Sequence, residues 1–457
     1  MVEEKKKEYH VKEGLKKYVK GHSNWIARFF SILFISTLLG VICGFTMVGF
    51  NYLLILFSFG FSFLPYFLSP LLAGALTSLV VKLGVKKNIF RIMGTGATQF
   101  VEEVNESELV YDRVPILFGK TFATSWTFGS GMVCGKEGPG LLIGANLGHI
   151  LSKRFKRFEL HRHDYYFIGA SACTSAILRA PISGALFCAE LPYSNHIRYT
   201  SLLPSIFAST IAFLIFSIFF GYEPLIPLNL SILGQINYIT LLPLLIFFGV
   251  FVGIISLIFI HLMNKWKEFL INRFKGRGGF WMLPLIGGLL YSIFLFLVIP
   301  FMGCNLQNVL IQPDTDFLNF FTTTIEQICL ELLIPLTILF ILAILFSIGF
   351  YNSAGIILPL MVLGALIGGI FGVYFFPEYP ELFVILGISA MLGASINNPV
   401  TAIIIIVEMT WEPFLFIPAG IATIIAYIFS GPSAIIPGQK VVKEIETFDE
   451  DQLVIED

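Results

Sequence analysis

GKEGPGLLIGANLG, residues 135–148, and GIILPLMVLGALIG, residues 355–368, carry one pattern twice. Gly135, Pro139, Gly144 and Gly148 stand four, five and four residues apart, and Gly355, Pro359, Gly364 and Gly368 repeat those intervals. Downstream, Gly169, Pro181 and Glu190 are spaced by twelve and nine, and so are Gly387, Pro399 and Glu408. Upstream, Gly40/Gly44 match Gly249/Gly253, and Pro70/Gly74 match Pro284/Gly288. A single small-xxx-small match is common in membrane helices. Four blocks recurring in one order mark an internal duplication.

The chain around these blocks is oily. Of its 457 residues 56% are hydrophobic and 13% charged, and the mean hydropathy is +0.83. A soluble domain carries about twice that charge fraction. Runs such as LLPLLIFFGVFVGIISLIFIHLM and IPLTILFILAILFSIGF suit transmembrane helices, which need roughly 20 apolar residues. The expected class is an all-α polytopic integral membrane protein whose main environment is the lipid bilayer. A net charge of −1 says little about partners, and no nucleic-acid partner is expected. Six cysteines lie singly and read as small hydrophobes; with seven histidines they form no metal motif, so neither metal nor cofactor is expected.

Basic residues orient the halves. The first hairpin, roughly 29–82, has Lys16, Lys17, Lys20 and Arg28 before it and Lys82, Lys86, Lys87 and Arg91 after it. Its tip, FSFGFSFLPYFLSP, has none. The matching hairpin, roughly 240–300, has its basic residues at the tip, NKWKEFLINRFKGRGG. By the positive-inside rule the first tip faces out and the second faces in. Opposed tips predict inverted-topology repeats, an architecture that places transport sites midway through the bilayer between broken helices. The expected division is a cytosolic basic segment over 1–28, a first membrane repeat over 29–235, a second over 236–437 and a short acidic tail over 438–457, with no soluble regulatory domain at either end. The N-terminus is expected in the cytosol, and the cell membrane is the expected location.

Each Gly-x-x-x-Pro block sits in an apolar stretch. Proline suits a helix's first turn, where its missing N–H costs nothing, and glycine lets backbone approach a ligand closely. Gly135–Pro139 and Gly355–Pro359 therefore read as two helix starts buried mid-membrane. The unpaired N–H groups of such ends, with their positive partial charge, make an anion cradle. Lys136 and Glu137 are the only Lys, Arg, Asp or Glu between Thr121 and Ile150. A carboxylate at Glu137 is an anion that can fill the cradle when no ion does, so it suits a gate. The plainer reading is a Lys136–Glu137 pair at a solvated turn.

GKEGP with GANLG, the second GxxxP block and the paired P…E blocks resemble the CLC family of chloride channels and proton-coupled chloride transporters, from about residue 29 to 440. The resemblance implies a homodimer with one pore per subunit, each built from inverted halves of tilted, broken helices. It places Glu137 on the family's gating glutamate, with Lys136 in place of the usual arginine and Gly138 beside it. GTGAT, 94–98, falls on the family's Gly-Ser-Gly-Ile-Pro, which puts Thr95 and Gly96 at the ion. The proline lost at Thr98 predicts a looser helix start. Backbone amides of Ile356 and Ile357 remain candidate donors, although Ile357 stands where phenylalanine is usual. In SAIIPGQ, Ile436 falls on a tyrosine, so a coordinating hydroxyl is missing.

Exchangers of the family carry a second, inward glutamate at the position of Leu191. Its absence adds weight to channel-like or weakly proton-coupled flow. Glu190 reads mainly as a structural residue, with Arg179 one available partner. The expected function is transport of small monovalent anions, chloride foremost, gated by Glu137. The alternative is a proton-coupled anion antiporter, or a carrier of fluoride, nitrate or an organic acid. A membrane enzyme is disfavoured, because neither a Gly-x-Ser-x-Gly nucleophile nor a Walker-type phosphate loop is present.

Overall fold

The computed structural model describes residues 2–84, 89–105, 112–155, 162–194, 196–227, 238–274, 279–302, 308–311, 318, 325 and 330–441. The 235/236 boundary, Cys304, Cys329 and the acidic tail beyond 441 lie outside these residues. The first half contains α1 (Val2–Ser62), α2 (Ser69–Gly84), α3 (Ala97–Asn105), α4 (Arg113–Gly129), α5 (Glu137–Arg154), α6 (Arg162–Leu178), α7 (Pro181–Glu190) and α8 (Tyr199–Phe220). The second contains α9 (Tyr238–Phe274), α10 (Leu283–Val298), α11 (Leu330–Ser347), α12 (Ile357–Phe375), α13 (Pro380–Ile396), α14 (Pro399–Thr410) and α15 (Phe416–Ser430). Among the described residues, seven helices are long and apolar enough to span a membrane. The basic N-terminal segment continues into the first of them as one helix, α1.

The repeated glycines are where helices cross. A Cβ at Gly144 in α5 would strike the Gly169 carbonyl of α6, and one at Gly169 would strike the Gly144 carbonyl. Gly364 in α12 and Gly387 in α13 stand in the same reciprocal relation. Gly74 and Gly288 bring α2 against α10 across the two halves, beside the carbonyls of Pro284 and Pro70. Gly40 and Gly44 seat α1 on Ala208 and Ala212 of α8; Gly249 and Gly253 seat α9 on Ala422 and Ala426 of α15. Without a hydrophobic drive between helices in lipid, close backbone approach of this kind is what holds them together.

Prolines open the short helices. Pro181 starts α7 and Pro399 starts α14, which at 10 and 12 residues are too short to cross a bilayer. Their exposed N–H groups are satisfied by exchange. Glu408, near the end of α14, accepts from Ile182 N at 3.1 Å, Ser183 N at 2.7 Å and Ser183 Oγ at 2.5 Å. Glu190, at the end of α7, accepts from Thr401 N at 2.9 Å and from the Thr401 hydroxyl. Each helix ends in the carboxylate that caps the other's start.

The halves meet at Gly135 and Gly355, which exchange both hydrogen bonds, each 2.8 Å, as an antiparallel bridge. The architecture is all-α with inverted repeats of broken helices. Outside the helices, Tyr193–Ser194 pairs in parallel with Lys440–Val441, fastening the chain's last described residues beside the end of α7.

Gly144→Ala and Gly364→Ala are expected to lower the thermal unfolding midpoint of the purified protein together, each by overpacking worth about 1–3 kcal/mol. Gly49→Ala is the control, because nothing lies within 4 Å of its Cβ position. Equal midpoints for all three proteins refute the crossing role.

Candidate functional site

Three helices begin at one place. α5 starts at Glu137 and α12 at Ile357, and both are entered through the Gly135/Gly355 bridge. A Cβ at Gly138 would lie 3.5 Å from the Gly355 Cα and would strike the Thr95 carbonyl. A Cβ at Gly96 would strike the Gly138 carbonyl. The start of α3 therefore touches the start of α5, which touches the approach to α12. Thr95, Gly96, Gly138, Ile356 and Ile357 thus sit around one junction, all buried.

Glu137 lies across it. The backbone amides of Glu137 itself, Leu358 and Lys136 face its carboxylate, so it spans the starts of α5 and α12. Its Oε2 is buried without a hydrogen-bond partner. A buried carboxylate oxygen without a partner is costly. The Lys136 ammonium donates to Asn51 Oδ1 on α1 at 3.4 Å.

The start of α3 is not loose. Thr98 N donates to Thr95 Oγ1 at 3.2 Å, the two threonine hydroxyls lie 3.1 Å apart, and Gly96 N donates to Gln99 Oε1 at 2.8 Å. Side chains replace the missing proline as the device that closes the helix end. Gly94 and Gly96 have φ of +78° and +81°, which lets the chain turn tightly into α3.

Sequence reading missed the cation behind this turn. Lys120 of α4 is fully buried, and its ammonium donates to the Gly94 carbonyl at 2.5 Å and the Ile92 carbonyl at 3.0 Å. Gly94 N in turn donates to Tyr351 O at 3.1 Å, and Ala354 N donates to Gly94 O at 3.3 Å. The turn before α3 is thereby tied to the turn before α12. A lone lysine in the apolar run PILFGKTFATSW was the available signal. Also missed was Glu103 of α3, a buried carboxylate bound by Arg113 at 2.7 Å, by Arg91 at 3.3 Å and by the Tyr166 hydroxyl. Arg113 reaches Asn146 of α5 at 3.2 Å as well, so this cluster ties α3 to α4, α5 and α6.

Leu191 is fully buried, and its carbonyl accepts from Gln439 Nε2 at 3.0 Å. Glu190 caps α14 as described. The partner suggested for it, Arg179, instead donates to the carbonyls of Phe220 at 2.7 Å and Glu223 at 3.3 Å. Ile436 is buried, between Ile435, whose N–H donates to Ser395 O at 3.0 Å, and Pro437, which lines a cavity with Thr95. Among the described residues no cluster of His, Cys, Asp or Glu has metal-binding geometry.

The family described as voltage gated chloride channel matches residues 80–431. The chain belongs to that family, the CLC proteins. It is 30% identical to the H(+)/Cl(−) exchange transporter ClcA of Citrobacter koseri over 67% of this chain, a match that spans 64% of that relative's length. It is 26% identical to ClcA of Vibrio cholerae over 88% of this chain and 86% of the relative. Among solved structures, a slow cyanobacterial Cl−/H+ antiporter superposes with a TM-score of 0.76 at 19% identity, covering 89% of this chain and 96% of its own. A CLC-type fluoride/proton antiporter gives 0.72 at 20% identity, covering 90% and 98%. The CLC fold is shared with both, and the chain is a multi-pass membrane protein of that family.

Two substitutions separate scaffold from site. Lys120→Met is expected to leave the Ile92 and Gly94 carbonyls without their charged donor, costing about 1–3 kcal/mol and lowering the unfolding midpoint. Glu190→Ala is expected to cost a similar amount by leaving the start of α14 uncapped. A Glu190→Ala protein of wild-type unfolding midpoint refutes the capping role.

Proposed function

We propose that this CLC protein exchanges small monovalent anions, chloride foremost, for protons across the cell membrane, with Glu137 as the gate. The single observation that carries the reading is the Glu137 carboxylate lying across the amide ends of α5 and α12. An anionic side chain in that place stands where a permeating anion needs to be. Occupancy of the junction by an anion and by the Glu137 carboxylate then exclude one another, and a carboxylate that leaves the junction is free to exchange a proton. Backbone amides of Ile356, Ile357 and Gly138 are the donors, with Thr95 and Gly96 on the inner flank. The names of the relatives, H(+)/Cl(−) exchange transporters, favour exchange over the channel-like flow expected from sequence.

Leu191 favours a second reading, passive or weakly coupled flow, because no acid stands at that position. The buried carboxylates among the described residues besides Glu137 are Glu103 and Glu190, and both are committed to structural bonds. Homodimerisation, a cytosolic N-terminus and the halves 29–235 and 236–437 as repeat units complete the proposal.

Purified protein in liposomes is expected to release chloride faster than protein-free vesicles and to drive protons uphill in a chloride gradient. Chloride flux without proton movement selects passive flow; no anion flux refutes transport. Glu137→Gln and Glu137→Ala are expected to abolish proton coupling and to flatten the pH dependence of anion flux between about pH 4 and 8, a span that covers carboxylate titration. A wild-type pH profile in both variants refutes the gate.

A further inference from the structure

A cavity of about 310 Å³ opens beside the start of α3, lined among others by Thr95, Thr98, Arg91, Glu102, Lys267 and Tyr351. A water molecule's share of liquid volume is about 30 Å³, so the space holds several waters and an ion besides. It is an antechamber to the junction, with room for water, and not part of the tight cradle. Lys267 belongs to the basic tip NKWKEFLINRFKGRGG, so the positive-inside argument puts this antechamber on the cytosolic side.

Its charges are not equivalent. Arg91 is held by Glu103 at 3.3 Å and Glu102 at 3.8 Å, so its charge is largely offset. Lys267 makes no hydrogen bond or ion pair with any described residue. Among the described residues, neither a carboxylate partner nor a helix carbonyl takes up its ammonium. Lys267 lines the same cavity as Thr95. A cleft with a fixed charge of one sign raises the local concentration of the opposite ion.

We propose that Lys267 is a positioning residue for transport: its ammonium gathers anions in the inner antechamber and sets the apparent affinity for anion arriving at Thr95 from that side. It does so by charge alone, without touching the cradle. The inference rests on the anion-transport reading and adds to it a residue that neither the repeat pattern nor the Glu137 motif marks.

Chloride flux through reconstituted protein is measured against chloride concentration at low ionic strength. Lys267→Gln is expected to raise the half-saturating chloride about two- to fourfold, the size of a unit charge acting over ~5–10 Å of water, with maximal flux little changed. The shift is expected to shrink in high concentrations of an impermeant salt, as screening requires. Lys267→Arg is expected to keep the wild-type value. Lys267→Cys then tests charge against shape: a thiol reagent that adds an ammonium is expected to restore affinity, and one that adds a sulfonate to worsen it further, with untagged wild type as control for the native cysteines. Equal effects of the two reagents, or a salt-independent shift in Lys267→Gln, overturn the proposal. Absent flux in wild type refutes transport itself, whereas normal wild-type flux with charge-blind position 267 refutes only the role of Lys267.

Discussion

Two backbone hydrogen bonds between Gly135 and Gly355 are the constraint from which the rest of the molecule follows. Within a bilayer an unpaired N–H or C=O costs several kcal/mol, so a helix cannot simply stop there. Here the chain stops two helices inside the protein and pairs the two interrupting residues, Gly135 and Gly355, with each other. Every other group freed by the breaks then has to find a partner nearby. Lys120 supplies one for the turn before α3, Thr98 and Gln99 close that helix start, and Glu190 and Glu408 close α14 and α7. What remains open is the space in front of α5 and α12, and Glu137 lies in it.

Much of this was legible in the sequence because the constraint acts on residue type. Only glycine tolerates a carbonyl where its Cβ would be, so the crossing points at Gly144/Gly169 and Gly364/Gly387 left a spacing that repeats. Proline marks the first turns of α5, α7, α12 and α14 for an equally local reason. The cross-chain pairings were not legible. Glu190 meets Thr401 across 211 residues and Glu408 meets Ser183 across 225, and nothing near either glutamate announces its partner. Arg179 looked available by proximity in sequence, yet it faces backbone carbonyls. Lys120 left a visible mark, a charge in an apolar helix, but its task depends on a turn more than two dozen residues upstream.

The duplication also explains why one carboxylate stands apart from its counterpart. Glu190 and Glu408 are equivalent positions and do equivalent work. Glu137 and its counterpart, Ile357, are not equivalent: both open a helix at the junction, but one is a carboxylate and the other aliphatic. The symmetric scaffold supplies the paired helix starts, and the proposed mechanism gives the gating role to the single asymmetric side chain, Glu137. A carboxylate from each half would place two like charges at one site, which is unfavourable in a low-dielectric setting.

In the proposed mechanism amides bind the anion, so the site does not depend on the side chains of Ile357 and Ile436, where the family resemblance places an aromatic and a hydroxyl. An N–H dipole is present whatever the side chain, so replacing an aromatic or a hydroxyl leaves the electrostatic part of the site in place. What those replacements change is the wall. With Ile356, Ile357 and Ile436 all buried, fewer side-chain donors are available to substitute for an ion's lost water. Shedding water then weighs more in the balance, and the anions that hold it least tightly gain. Within the proposed transport, that argument favours chloride over fluoride, because the smaller ion binds its hydration shell more strongly and the wall offers less in return.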